Sequence, residues 1–264
     1  MAHPRFFLVA PLRDADEFVV EADDGPAGVR LPLGEADRHH AADVLRLHAG
    51  DHIIAVEPDG TTLDVRLIDV TRHHIAGEVR GLLPREQGPR VTLIQGLAKG
   101  SKMDLIIEKA VELGVSAVVP FQSERSVVRL DESKRRARVE RWQRISLAAA
   151  KQSQRSIVPD VLDVVDTLGL VEMLPRFDHV VVLWEDERSC TFADAFKGIS
   201  HRAHVAVVIG PEGGLTADEV AQCREVGAVT ATLGSTILRT ETAGIVGLAL
   251  AVHRMGGLGG DNSE

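Results

Sequence analysis

The sequence predicts an α/β protein in two parts: a small β-barrel over residues 1–83 and a parallel-sheet domain over residues 90–256. Three observations lead there. The first part is a series of short β-branched segments separated by Gly and Pro turns, the pattern of a small barrel. Pro84-Arg85-Glu86-Gln87-Gly88-Pro89 then places two prolines and a glycine in six positions, which marks a linker. Beyond it strand-like runs alternate with helical periods, the pattern of βαβ units in a sheet covered on both faces.

Residues 6–9, 18–21, 29–33, 53–57, 63–70 and 75–83 are the candidate strands of the first part, with Pro58-Asp59-Gly60 as a hairpin turn. Residues 35–48 interrupt them with a helical pattern in which Ala41, Val44, Leu45 and Leu47 cluster, and Ala49-Gly50 stops it. In the second part residues 91–97 read as a buried strand. Ser101 with Asp104 suggests a capping box opening a helix whose apolar face is Met103, Ile106, Ile107, Ala110 and Leu113, ended by Gly114. Residues 115–121 follow as a strand and residues 131–153 as a basic helix with Trp142, Ile145, Ala148 and Ala149 on one side. Further strands are expected at 179–184, 205–209 and 229–233. Thr216 and Glu219 form a second capping box, for a helix that Gly227 terminates. Residues 244–253 are apolar all round, so this helix is expected to be buried in the core or against another subunit.

Composition bounds the function. With 44% hydrophobic and 26% charged residues, the 264-residue chain reads as an ordinary globular protein. A net charge of −9 argues against a protein that coats nucleic acid, so RNA contact would need local basic patches. No apolar run reaches membrane-span length, and the N-terminus lacks a signal peptide's apolar core. Two cysteines, Cys190 and Cys223, fit a reducing compartment. The expectation is a cytoplasmic protein with no membrane partner and no metal. His39-His40 lacks a third ligand in view.

Two loops carry the chemistry. Residues 205–209 are an apolar run that enters Gly210-Pro211-Glu212-Gly213-Gly214; Leu233-Gly234-Ser235-Thr236-Ile237-Leu238-Arg239-Thr240-Glu241-Thr242-Ala243 leads into the last helix. Glycines 210, 213 and 214 let backbone take positive φ and approach a ligand closely. Such loops present N–H and C=O groups to a flat polar molecule such as adenine, and a parallel sheet binds ligands where its strands end. The spacing fits neither a Walker loop nor a dinucleotide fingerprint. Of the basic residues 125–155, most read as a solvated helix face. Arg125 and Arg155, at segment ends, are candidates for phosphate or anion contact, and Arg239 has the same status or pairs with Glu212 or Glu241.

These two loops, together with Lys102-Met103-Asp104, Glu112-Leu113-Gly114-Val115, Ser123-Glu124-Arg125-Ser126, Arg141-Trp142 and Gln152-Ser153, resemble the SPOUT methyltransferases, and more narrowly the RsmE family. The resemblance runs over most of the chain. It implies a PUA-like barrel followed by a trefoil-knotted domain, a homodimer, S-adenosylmethionine as cofactor, and methylation of a uridine ring N3 in small-subunit ribosomal RNA. It places the cofactor against Leu183, Trp184 and Glu185, against Ile209, Gly210, Gly213 and Gly214, and against Leu233, Gly234, Ser235, Ile237 and Leu238. Arg125, Arg155, Glu212 and Arg239 are the candidate catalytic groups, with Glu212 either a base or a structural partner. Arg5, Arg38, His40 and Arg46 are the candidate RNA contacts. The chain departs from the family at Ser235-Thr236, usually Pro-Arg, and at Asp43, often basic. A ribose 2′-O-methyltransferase and a non-enzymatic RNA-binding assembly factor are the alternatives.

Overall fold

In a computed structural model the described residues are 3–12, 19–20, 28–84 and 88–259. Expectations resting on Arg13, Phe18, Glu21, residues 85–87 and residues 260–264 lie outside them. The chain divides into two units, Met1–Gln87 with Gln154–Ile157, and Gly88–Ser153 with Val158–Glu264.

The first unit is a six-stranded sheet built on alternation. β1 (Arg5–Phe7), β2 (Val19–Val20), β3 (Gly28–Arg30), β4 (His52–Val56), β5 (Thr62–Val70) and β6 (Ile75–Leu83) are ordered β1-β4-β5-β6-β3-β2. Inward residues Phe6, Ile53, Ala55, Leu63, Val65, Leu67 and Ile75 form its core with Leu31, Leu33 and Ala41. A bridge between Leu8 and Leu33 joins the segments that follow β1 and β3. The predicted helix at 35–48 is shorter. α1 (Glu35–His39) widens into a π turn over His40–Val44, and only Ala41 of the expected cluster is buried, while Val44 and Leu45 are exposed. Arg46 takes φ +52° just beyond, so the helical period cannot continue to His48.

The second unit is a parallel sheet in the order β12-β10-β11-β7-β8-β9. Its strands are β7 (Val91–Gly96), β8 (Ala117–Phe121), β9 (Asp160–Val161), β10 (His179–Leu183), β11 (Val205–Ile209) and β12 (Val229–Ala231). β7 and β11 are buried at every residue, as sheets covered on both faces require. The short edge strand β9 has too few residues to leave a period in the sequence.

The helices are α2 (Lys102–Glu112), α3 (Glu132–Gln152), α4 (Thr167–Met173), α5 (Phe192–Ala195), α6 (Ala217–Glu225) and α7 (Thr240–Arg254). The capping box predicted at Thr216 and Glu219 is present. The one predicted at Ser101 is not: Ser101 makes no side-chain cap bond, and Asp104 instead accepts from Arg141 at 2.6 Å. On α3 the buried side is Trp142, Ser146, Ala149 and Ala150, so Ala148 is exposed and Ile145 only half-buried. α7 is buried along one side, through Gly244, Gly247, Leu248, Ala251 and Val252, with Leu250 turned outward.

Candidate active site

β10, β11 and β12 run parallel, so the loops that leave them emerge at one end of the sheet. They enclose a cleft of about 990 Å³. Leu183, Trp184 and Glu185 form one wall and Ile209, Gly210, Glu212 and Gly214 a second; Leu233, Gly234, Ser235, Ile237, Leu238 and Arg239 form a third. Gly213 is not in the lining. It stands behind the turn, where a Cβ would come within 2.9 Å of the Arg125 carbonyl oxygen.

A buried relay joins the two loops. The Thr240 hydroxyl donates to the Gly210 carbonyl at 2.6 Å and accepts from Gln95 Nε2 at 2.9 Å. Gln95 is fully buried and Thr240 is 6% exposed. Beside them Gly96 packs on the turn so closely that a Cβ would sit 2.3 Å from Pro211 N. Of the three loop glycines only Gly214 has a left-handed backbone, at φ +71°. Gly210 and Gly213 are needed for close packing instead of for φ.

The wall after β10 is ordered by Glu187, 6% exposed. Its Oε1 accepts from the Arg188, Ser189 and Cys190 amides and the Ser189 hydroxyl; its Oε2 accepts from Thr230 at 2.6 Å and Arg224 at 3.0 Å. The Ser189 and Thr230 hydroxyls and these amides hold its carboxyl well below the usual carboxylate range. Arg224 also lies over the Trp184 ring, 5.5 Å from its centre.

Charges gather at the cleft between α2, the glycine turn and α7. Glu212 Oε1 accepts from the Lys99 amide at 3.0 Å and from Lys102 Nζ at 3.2 Å. Lys102 also pairs with Glu241 at 3.1 Å. Burial pushes the Glu212 carboxyl up, but these donors outweigh it and hold the group below its ordinary value. The two carboxylates raise the Lys102 ammonium. Glu212 therefore pairs with Lys102, and Arg239 acts on Glu241 through its charge.

The other candidates fall elsewhere. Arg125 lies behind the glycine turn, its guanidinium 3.4 Å from the Gly213 carbonyl and 3.5 Å from that of Leu215. Arg155 belongs to the segment grouped with the first unit. There Arg5 donates to the Ser156 hydroxyl at 3.0 Å and Arg38 to the Leu33 carbonyl. The His40 ring lies 6.3 Å from that of Phe6. Asp43 is paired with Arg72 at 2.7 Å and His39 at 2.6 Å, so its charge is locally balanced. Thr236, where the chain departs from the family, lines the cleft.

Sequence reasoning left Lys102, Glu187 and Thr240 out of the site. Lys102 and Thr240 stood inside motifs already singled out, and only their partners were invisible. Glu187 had no signal, because Arg224 and Thr230 reach it only in the folded chain.

Comparisons with known proteins identify the family. Residues 85–252 match the family model described as RNA methyltransferase domain, and residues 33–80 match RNA methyltransferase PUA domain. A ribosomal RNA small subunit methyltransferase E of Bacillus subtilis is 38% identical over 229 residues, 84% of this chain and 90% of that protein. The Mycobacterium bovis protein of that name is 34% identical over 217 residues, 79% of this chain and 80% of its own length. Among solved structures, a ribosomal RNA small subunit methyltransferase E from Neisseria gonorrhoeae, bound to S-adenosyl methionine, superposes with a TM-score of 0.74 at 30% identity, covering 94% of this chain and 96% of that one. With an RNA methyltransferase domain over most of its length and relatives of this identity and coverage, the chain belongs to the ribosomal RNA small subunit methyltransferase E family.

Proposed function

We propose that this protein uses S-adenosylmethionine to methylate the ring N3 of a uridine in small-subunit ribosomal RNA, free or in the small ribosomal subunit. The observation that carries the reading is the cleft where both signature loops meet, lined largely by small or apolar residues. Such a lining suits a flat nucleoside held by backbone hydrogen bonds. Leu183, Ile209, Leu233 and Leu238 supply apolar surface for adenine, while Gly210, Gly234 and Ser235 present backbone groups to its polar edge. Glu185 and Trp184 complete the wall after β10. The crystal structure of the Neisseria relative with this molecule bound supports the assignment.

Bound there, the cofactor supplies an already activated methyl group, so the protein's task is alignment and charge control. Arg239, exposed at the start of α7 on the cleft, is placed to stabilise negative charge developing on the uracil oxygens. Glu212, held ionised by Lys99 and Lys102, is a poor proton acceptor at neutral pH and acts as an anchor of the turn. Arg125 supports the same turn from behind, and Gly213 leaves it room. Arg155 is assigned to RNA.

Residues 1–83 form the RNA-docking domain and residues 90–256 the methyltransferase domain in this reading. The Leu8–Leu33 bridge supports closure of the first into a PUA-like barrel. Arg5, Arg38, His40 and Arg46 supply its RNA contacts. The return of the chain from β12 to pack α7 on β7 and β11 supports a trefoil knot. The outward side of α7, with Leu250 39% exposed, supports a homodimer. Among the described residues no helix is long and apolar enough to cross a membrane, in keeping with a cytoplasmic enzyme.

Two measurements test the function. Titration calorimetry with S-adenosylmethionine should give saturable binding, and silence at millimolar cofactor would reject the cofactor. Mass spectrometry of digested, methylated RNA should place the new methyl on the uracil ring; a ribose methyl would reject the N3 assignment, and no product at all would point to an assembly factor.

A further inference from the structure

We propose that Lys102 is a positioning residue that holds two walls of the cleft at their working separation by sharing one ammonium between Glu212 and Glu241. Its consequence for cofactor binding rests on the function proposed above. Glu212 belongs to the turn after β11 and Glu241 to the first turn of α7, elements that approach each other only in the folded chain. Lys102 Nζ lies 3.2 Å from the first carboxylate and 3.1 Å from the second. The grip on Glu212 is doubled, because the Lys99 amide donates to the same oxygen at 3.0 Å. Gly100, at φ +63°, turns the chain between these two donors.

The placement of Lys102 runs against its own helix. It is the first residue of α2, where the unsatisfied N–H groups carry partial positive charge and favour an anion. A lysine at that position gains nothing locally, so its partners in the other two elements account for it. Without it Glu212 would keep only the Lys99 amide and Glu241 only the charge of Arg239, and the two carboxylates would share one cleft with no cation between them. Repulsion between like charges would then drive the turn and α7 apart.

The test compares the full-length protein with Lys102→Met, Lys102→Arg and the triple variant Lys102→Met/Glu212→Gln/Glu241→Gln. Hydrogen–deuterium exchange without cofactor reads the walls directly, over residues 210–216 and 233–243. Exchange in both segments should be roughly fivefold faster in Lys102→Met, the range expected for losing two partly exposed ion pairs. Lys102→Arg and the triple variant should return towards wild type, the first by bridging again and the second by removing the repulsion. Calorimetry with S-adenosylmethionine should follow the same order. Unchanged exchange in either segment of Lys102→Met would overturn the proposal. So would exchange in the triple variant as fast as in Lys102→Met, which would mean that repulsion between the two carboxylates is not what parts the walls. A wild-type protein that ignores the cofactor would reject the cofactor assignment, and the exchange data would still decide the role of Lys102.

Discussion

Replacing Thr240 by Val keeps the shape of the side chain and removes only its hydroxyl, so it isolates the relay that joins the two loops. Two hydrogen bonds disappear: the donation to Gly210 at 2.6 Å and the acceptance from Gln95 at 2.9 Å. Gln95 Nε2 keeps a weaker bond to the Gly96 carbonyl at 3.2 Å, so its loss is partial. The Gly210 carbonyl loses its hydroxyl donor in a region where Thr240 is 6% exposed. A buried polar group left without its partner costs about 1–3 kcal/mol, and adding a partial loss at Gln95 gives roughly 2–4 kcal/mol. For a unit of this size that corresponds to a fall in melting temperature of roughly 4–16 °C. Whatever share falls on the loops weakens cofactor binding by about tenfold per 1.4 kcal/mol. Differential scanning calorimetry and cofactor titration on wild type, Thr240→Val and Thr240→Ser supply the comparison, with serine keeping the hydroxyl and staying near wild type. Wild-type melting and affinity in the valine variant would show that the relay joins nothing of consequence.

Gly96→Ala and Gly214→Ala should differ in kind. At Gly96 the new methyl meets main chain of Gly210 and Pro211 at 2.3–2.5 Å, so the turn must move; a loss of about 3 kcal/mol is expected from denaturant titration. At Gly214 it meets Glu185 Oε1 at 2.1 Å, the far end of a side chain that can swing away, and the remaining cost of φ +71° is about 1–2 kcal/mol. Gly214→Ala should therefore melt closer to wild type while its displaced Glu185 weakens the cofactor, and equal effects from the two variants would contradict the contact geometry. Glu187 predicts acid behaviour. Its folded carboxyl is held below the ordinary 4.5, so the unfolded state binds the proton more readily below that pH. Its stabilising contribution is complete above that value and is lost as pH falls towards the folded value. Thermal melts from pH 5 down to about pH 3 should slope less steeply for Glu187→Gln than for wild type; parallel slopes would remove Glu187 as the cause. In the N-terminal unit, Arg38→Ala with Arg46→Ala should weaken RNA binding and flatten its salt dependence, measured by filter binding; an unchanged slope would take these residues out of the interface.

Much of the architecture was legible because burial leaves periods in a chain. The buried runs of β7 and β11, and of β8 and β10 beyond their first residues, announced a parallel sheet, and Thr216 with Glu219 announced α6. Where the reading failed, a tertiary partner outbid a local one. Asp104 turned from the expected cap to Arg141 on α3, and the π turn at His40–Val44 broke a helical period that looked continuous. Ser146 took a buried place because the Pro159 carbonyl accepts its hydroxyl at 2.6 Å, a contact no hydrophobic pattern encodes.

By itself the sequence determined the strands of the parallel sheet and the two loops that end in glycines and in the start of the last helix. Those follow from local chemistry: β-branched runs extend, glycines permit tight turns, and prolines break the period. Only the tertiary structure decided that Thr240 reaches Gly210, that Lys102 takes both Glu212 and Glu241, and that Glu187 gathers Arg224 and Thr230. Each of these joins residues that lie on separate elements, and a hydrogen bond or ion pair depends on distances that no spacing along the chain specifies.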